Sequence, residues 1–522
     1  MTAALAPAPS RRVPLAAPAR LLRLELRRNP MLWLLPLLAI LFWLGVYRPA
    51  MAGPPFWNVR ATVLQHAVLF LGPLLAGATA WVGSRDGRRG LTDLVGVTAV
   101  PRWASQLATW AATTCWAEAV YLGGVAVVYG VTAEQAHWGG PLWWPVAVGA
   151  AGVATCCALG FAAGALLPGR FTAALAAVLV FLALGGGAFA LQNNGTYAQI
   201  WPLNVQGALS PDSYGIFYPY LPDLAIAQLM FLAGLAVAAL GALGLPAAAG
   251  GRWLRGAAAA LAAAGLAAAG TAVGLAGTAR LEAHGVVIPA LHDVASDRPV
   301  PYVPVCAHSA VPVCVQPAYR SYLPAVTAAL GPLLEQVAGL PGAPVRVTQV
   351  AVTSVQQEPS NGVQLGGPAL SGSPPVLYLP LAGLSLPGEG ATTAQFIDQL
   401  RSEDATMILN SVIGDIAPAG QAAPAGRARV GGQAGARGPA SVPVRVAPGA
   451  EAQLAIETAL AELAGVPSGS GVPSGSGVPM AGRPLEAAAH RFAELPAAAR
   501  HAWLAAHISA LRAGRVTLSE IP

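Results

Sequence analysis

Few side chains in this 522-residue chain are placed to do chemistry, and the first is a lone carboxylate in an apolar setting. Glu118 stands in the middle of Trp103–Val131, a run with no other charged residue. A charge at the centre of a bilayer costs at least ~2.5–3.5 kcal/mol, so this side chain faces a protein interior or cavity, or keeps its proton. Two roles stay open for it: lining a transport path or dimer seam, or bonding to a neighbouring helix as a neutral acid. Cys306 and Cys314 stand in VPVCAHSAVPVC, and a disulfide closing this small Pro-rich loop is expected in an oxidising compartment. With His308 they offer three ligands and no fourth, a poor zinc site, so no metal is assigned. His490, Glu494, His501 and His507 lack the HExxH spacing and read as a solvated helical face. Cys115, Cys156 and Cys157 read as small apolar residues. No Ser/His/Asp set or paired carboxylate suggests an enzyme. All 29 basic residues are Arg. Without a lysine the chain has no P-loop lysine, Schiff base or lysine general base, so any ATP hydrolysis belongs to another chain.

The elements that position these residues follow from hydropathy. The chain is 55% hydrophobic and only 10% charged, with a mean hydropathy of +0.57. Soluble domains carry about 25% charged residues, which excludes an ordinary cytosolic enzyme. Stretches near the ~20 residues that cross a bilayer are Met31–Tyr47, Ala61–Val82, Trp103–Val131, Pro141–Leu167, Phe171–Leu191, Leu224–Leu245 and Ala257–Ala279. The first is short but flanked by Trp33, Trp43 and Tyr47 as interfacial aromatics. Gln65 and His66 fall near the outer end of the second and read as interfacial. No small-residue cleavage site follows the first span, so a signal peptide is not expected.

Arginines orient the spans. Arg11, Arg12, Arg20, Arg23, Arg27, Arg28, Arg85, Arg88, Arg89, Arg102, Arg170, Arg252 and Arg255 flank one side, against Arg48 and Arg60 on the other. Thirteen against two places the N-terminus in the cytoplasm and the residues after the seventh span outside. Through residue 279 there are 15 Arg and seven acids, a net of +8; from Arg280 onward 14 Arg face 16 acids, a net of −2. The overall +6 therefore reflects topology, and no nucleic-acid partner is implied.

Three non-spanning pieces have patterns of their own. In Pro18–Asn29, Arg20, Arg23 and Arg27 share a helical face opposite Leu22 and Leu26, the design of a helix lying on anionic lipid; a plain positive-inside flank is the simpler alternative. Gly83–Arg102 is a cytoplasmic loop with charges first and then helix-compatible residues, in which Asp93 would sit at a positive helix end. Gln192–Pro222, with Trp201, Tyr214, Phe217, Tyr218 and Tyr220, either dips back into the interface or anchors on it.

This plan resembles the permease subunit of ABC-2-type (type V) ABC exporters of high-GC bacteria. The likeness rests on LRLELRRNPMLW (Leu22–Trp33), on RDGRRGLTDLVGVTAVPRWASQLATW (Arg85–Trp110) and on topology, over roughly residues 18–250. It implies that Arg85–Ala99, with Arg85, Asp86, Arg88, Arg89, Leu91, Thr92, Asp93 and Leu94, is the coupling helix for a separate ABC ATPase subunit. It implies also that Pro18–Asn29 is the interface helix and that Gln192–Pro222 closes the export path. ATP and Mg would sit on that ATPase, with no cofactor on this chain; a second permease copy or paralogue would complete the transporter. The seventh span and the long tail depart from the family, whose permeases usually end inside. GxxxG spacings at Gly160/Gly164 and Gly270/Gly274 permit close helix approach but do not identify a dimer face.

The expected fold is thus an all-α polytopic bundle of six core spans plus a seventh, followed by a small extracytoplasmic α/β domain. Its parts are a cytoplasmic N-terminus (1–30), the six-helix permease domain (31–256), the seventh helix (257–279) and the outer domain (280–522). In the last, helices are expected over Ala318–Leu340, Thr393–Gly414, Glu451–Ala464 and, broken at Pro496, Leu485–Gly514. Strands are expected over Val345–Val355 and Val376–Leu381, and linkers at 416–450 and 465–480, where GVPSGS repeats. The expected function is an export permease in the cell membrane. The alternative is a multi-span anchored binding or sensor protein without transport, for which seven spans are more than an anchor needs. A reporter fused after Pro522 should signal from outside the cell; a cytoplasmic signal would remove the seventh span or invert the orientation.

Overall fold

Backbone N–H and C=O groups that meet hydrocarbon must bond within their own segment, and the apolar stretches accordingly fold as helices. In a computed structural model they lie in the first of two compact units, Met1–Val300, with Pro301–Pro522 forming the second. The structure describes residues 16–90, 101–187, 199–205, 215–247, 252–282, 285–351, 369–381, 384–387, 391–414, 448–466 and 483–522.

The first unit opens with α1 (Ala16–Arg28) and continues through α2 (Leu35–Ala52), α3 (Trp57–Gly83), the single turn α4 (Arg85–Arg88), α5 (Arg102–Gln135), α6 (Trp143–Leu166), α7 (Thr172–Gly186), α8 (Asp223–Ala247) and α9 (Arg252–Gly277). Six of these, α2, α3, α5, α6, α8 and α9, are long and apolar enough to cross a membrane. The unit is a membrane-embedded helical bundle. The fifth expected span is present as the shorter apolar α7; residues 188–191 lie outside the described residues. The first span runs beyond Tyr47 to Ala52, through a π-helical turn at Trp43–Tyr47. The reason is Pro49, which has no N–H to give and whose ring would strike the preceding turn; a widened turn absorbs both.

Small residues set how closely the helices approach. A Cβ on Gly160 or Gly164 of α6 would collide with the carbonyl oxygens of Ala76 and Ala80 on α3, so this GxxxG serves packing within the chain. Gly270 and Gly274 have nothing near them among the described residues. After α9 the chain forms an antiparallel pair, β1 (Arg280–Glu282) and β2 (Gly285–Val287). Val286 and Ile288 then join Ile200, Leu224, Ala272 and Ala276 in one apolar cluster.

The second unit holds a five-stranded sheet in the order β3-β4-β5-β7-β6. Its strands are β3 (Val305–Ala307), β4 (Val313–Val315), β5 (Arg346–Gln349), β6 (Ala369–Ser371) and β7 (Val376–Leu379). The central β4, β5 and β7 are parallel, and the outer strands run antiparallel to them. Cys306 and Cys314 are directly paired across β3 and β4 and form the disulfide. The hairpin, β1–β2 and β6 were not evident as strands because each is three residues long, too short for period-two alternation to register.

Around the sheet lie α10 (Leu323–Val337), α11 (Thr393–Ile413), α12 (Pro448–Leu463), α13 (Arg483–Glu494) and α14 (Ala497–Arg512). The expected Ala318–Leu340 helix begins instead as a 3-10 turn at Pro317–Tyr322. A capping box of Thr392 and Gln395 starts α11, and Pro496 separates α13 from α14. Of the terminal histidines, His501 bonds the Ala338 carbonyl at 2.8 Å and His507 stacks on Trp503 at 4.6 Å. Those two hold structure, while His490 and Glu494 are exposed.

Polar residues also enter this core, among them Gln316, Gln349, Glu457 and Asp404. Asp404 of α11 is 1% exposed, and neither carboxyl oxygen has a hydrogen-bond partner among the described residues. Burial first, then the charge of Glu403, push its pKa from 3.8 to about 8. The folded domain therefore takes up a proton between about pH 4 and 8, so stability falls as pH rises through that window. Asp404→Asn is expected to raise the melting temperature of this domain by about 4 °C or more at pH 7.5 and leave it unchanged at pH 4. Equal shifts at both pH values, read by scanning calorimetry of the full chain, would refute a buried titrating acid.

Candidate functional site

At one end of the bundle, α1 presents Arg20, Arg23 and Arg27 on its exposed side while Leu22 and Leu26 are half-buried. It is fixed to α5 by Trp116 Nε1, which donates to the Leu26 carbonyl at 3.0 Å. Asn29 strengthens the junction: its Nδ2 donates to Thr113 Oγ1 at 3.0 Å, and its Oδ1 caps the Met31 N–H at 2.9 Å. Glu25 lies 3.6 Å from the Arg85 guanidinium, which also bonds Asp86 at 3.3 Å. A half-exposed pair of this kind is worth at most ~1 kcal/mol; its importance is positional, because it ties α1 to the head of the loop between α3 and α5. Arg88 is folded back over the Trp81 ring, 3.4 Å from its centroid, and donates to the Trp81 carbonyl at 2.9 Å. Arg89 is exposed. Leu91, Thr92, Asp93 and Leu94 lie outside the described residues.

At the opposite end, residues 199–205 run against α3 and α8 with little regular structure, and their carbonyls are bonded by side chains from those spans. Gln65 Nε2 donates to Pro202 O at 3.0 Å and to Asn204 O at 2.8 Å. Gln228 Nε2 reaches Trp201 O and Asn204 O, both at 2.8 Å. His66 Nε2 lies 2.7 Å from Leu203 O, so that nitrogen carries the proton. Trp201 Nε1 in turn donates to the Leu184 carbonyl in the π-helical turn of α7, 3.0 Å away. Gln65 and Gln228 are 1% exposed. At 1.5 Å rise per residue they sit roughly 12 and 8 Å inside their helices, where irregular backbone survives only when protein satisfies it.

Between the two ends, Glu118 has its Oε2 buried without a hydrogen-bond partner among the described residues. The residue is half-buried, with its carboxyl near Tyr121 and Cys157, which are themselves buried in the α3–α5–α6 core. Tyr121 is fully buried and donates to Val146 O at 3.1 Å. No group of three or more His, Cys, Asp or Glu placed to hold a metal occurs among the described residues.

No family model, curated protein or solved structure matches this chain. Function must therefore be argued from these residues alone.

Two assignments made on the sequence change. Gln65 and His66 are not interfacial anchors; burial between spans and the carbonyls of residues 202–204 account for them. Arg60 is not a loop charge: it is 2% exposed in α3, bonded to Thr132 Oγ1 at 3.0 Å and Gln135 Oε1 at 2.6 Å on α5. Gln228 was overlooked because one amide in an apolar span carries no motif; two amides on different spans gain meaning only when the fold joins them.

Removing both amides strips donors from several buried carbonyls, each costing ~1–3 kcal/mol. In a Cys115→Ala background, Leu203→Cys should react with a maleimide in detergent at least tenfold faster when Gln65→Leu and Gln228→Leu are added. Equal rates would mean that the two glutamines do not hold the segment.

Proposed function

We propose that this chain is the membrane-spanning permease subunit of an ATP-driven ABC-2-type exporter, working with a separate ATPase subunit and a second permease copy or paralogue in the cell membrane. The observation that carries the proposal is the Glu25–Arg85 contact, which joins an arginine-faced amphipathic helix to the head of the loop between the second and third spans. A partner that pushes on this loop moves α1, and α1 is fastened to α5 through Trp116 and Asn29. Displacement thereby enters the bundle through a packed helix.

The other end of the bundle supports the same reading. Residues 199–205 form an irregular plug whose backbone bonds end on α3 and α8, so relative motion of those spans must either carry the plug or break its bonds. In this assignment the arginine-rich end is cytoplasmic, and the plug lies toward the outside. Of the two arginines toward the other side, Arg60 is buried inside α3 and Arg48 is exposed, and this imbalance against the thirteen supports the orientation. The lack of a lysine for P-loop chemistry is in keeping with ATP and Mg on the partner.

Arg89 is the sounder site for testing the partner, because Arg88 is engaged with Trp81. Affinity purification of the full chain from its native membrane should recover a P-loop ATPase, and Arg89→Glu should lower that recovery at least fivefold while the purified chain stays monodisperse. Failure to recover a P-loop ATPase, or equal recovery with Arg89→Glu, would overturn this assignment.

A further inference from the structure

Asp223 opens α8 and is completely buried. Its Oδ2 accepts the Ile288 N–H at 3.0 Å and lies 3.1 Å from His292 Nδ1. On the other edge of the same ring, Nε2 lies 3.1 Å from Asp297 Oδ1. Ionised carboxylates only accept hydrogen bonds, so a ring bonded to both carries a proton on each nitrogen. The ring is 10% exposed and Asp297 34% exposed. Between them, these residues bind the chain that follows α9 to the first turn of α8. Close by, the Val300 N–H donates to the Phe217 carbonyl at 2.8 Å, joining the end of that segment to the strand of chain that enters α8.

We propose that His292 is a proton-operated latch, clamped between Asp223 and Asp297, that fastens residues 285–300 to the head of α8 when charged and loosens them when neutral. The latch stands apart from the export assignment, since it requires nothing of cargo or ATPase. Chain connectivity gives it its consequence: Pro301 begins the second unit, so the latch controls the last anchored residues before that domain.

Asp223 from α8 and Asp297 from the latch's own loop are the charged groups that act on the ring. Burial lowers the His292 pKa, but hydrogen bonds and charge from Asp297 and Asp223 outweigh it, and the net shift is upward from 6.5. A raised histidine pKa means that the closed form binds the proton more tightly than the open one. The stabilisation is complete below the open-state pKa and is lost as pH rises through the closed-state value. On deprotonation the ring keeps one N–H for Asp223 and turns a lone pair toward Asp297, which two acceptors cannot share. The Asp297 side opens first.

Hydrogen–deuterium exchange of the full chain in detergent, followed on peptides from residues 288–300 and corrected for intrinsic rates, tests this. Protection should be level at acid pH and fall at least tenfold by pH 9, while peptides from α5 stay unchanged. Asp297→Asn, at a partly exposed position, should move the fall to lower pH. His292→Gln should give low protection at every pH. Flat wild-type protection, or an Asp297→Asn transition at the wild-type pH, would overturn the latch.

Discussion

The fold of the membrane unit depends on one constraint: a backbone group that cannot reach water must find its partner in protein. Helices meet it internally over most of the unit. Residues 199–205 do not, and they persist among the spans because Gln65, His66 and Gln228 supply the donors. The same need explains why fully buried polar side chains occur in α3 and α8, where apolar residues would pack at lower cost. It also orders the neighbours: Trp201 must lie where Leu184 offers its carbonyl, and α7 has a widened turn there.

A second constraint is the distance between helix backbones. Gly160 and Gly164 let α3 and α6 touch main chain to main chain, and Gly234 and Gly265 do the same for α8 and α9. Helices packed this way have few side chains between them, so any side chain added at these glycines would push the pair apart. The plug bridges the two pairs, with one amide on α3 and the other on α8. Thr155 of α6 adds a second link between the pairs, donating to Leu232 O of α8 at 3.0 Å.

Periodicity and hydropathy made the long elements legible. All six long apolar helices, the helices of the second unit, two of its strands and the disulfide follow from local pattern, since each is decided within ten to thirty residues. What stayed hidden is pairwise and distant. Gln65 meets Gln228 at a separation of 163 residues, Arg60 meets Thr132 at 72, and Asp223 meets His292 at 69. A single polar residue in an apolar run carries no information about its partner. Glu118 illustrates the limit from the other side: its cost was evident from composition and Tyr121 follows one turn along the same helix, yet only the fold brings Cys157 of α6 near it.

The charge distribution joins these levels. Three arginines of the membrane unit are engaged in different geometries: Arg85 on Glu25, Arg88 over Trp81, Arg60 between two neutral acceptors. A guanidinium is planar, always charged and weakly hydrated, so it can stack on an indole or lie buried against amides where an ammonium would demand more solvation. A chain without lysine lacks amine nucleophiles and the P-loop lysine but keeps, in arginine, the means of orienting helices and gripping carbonyls.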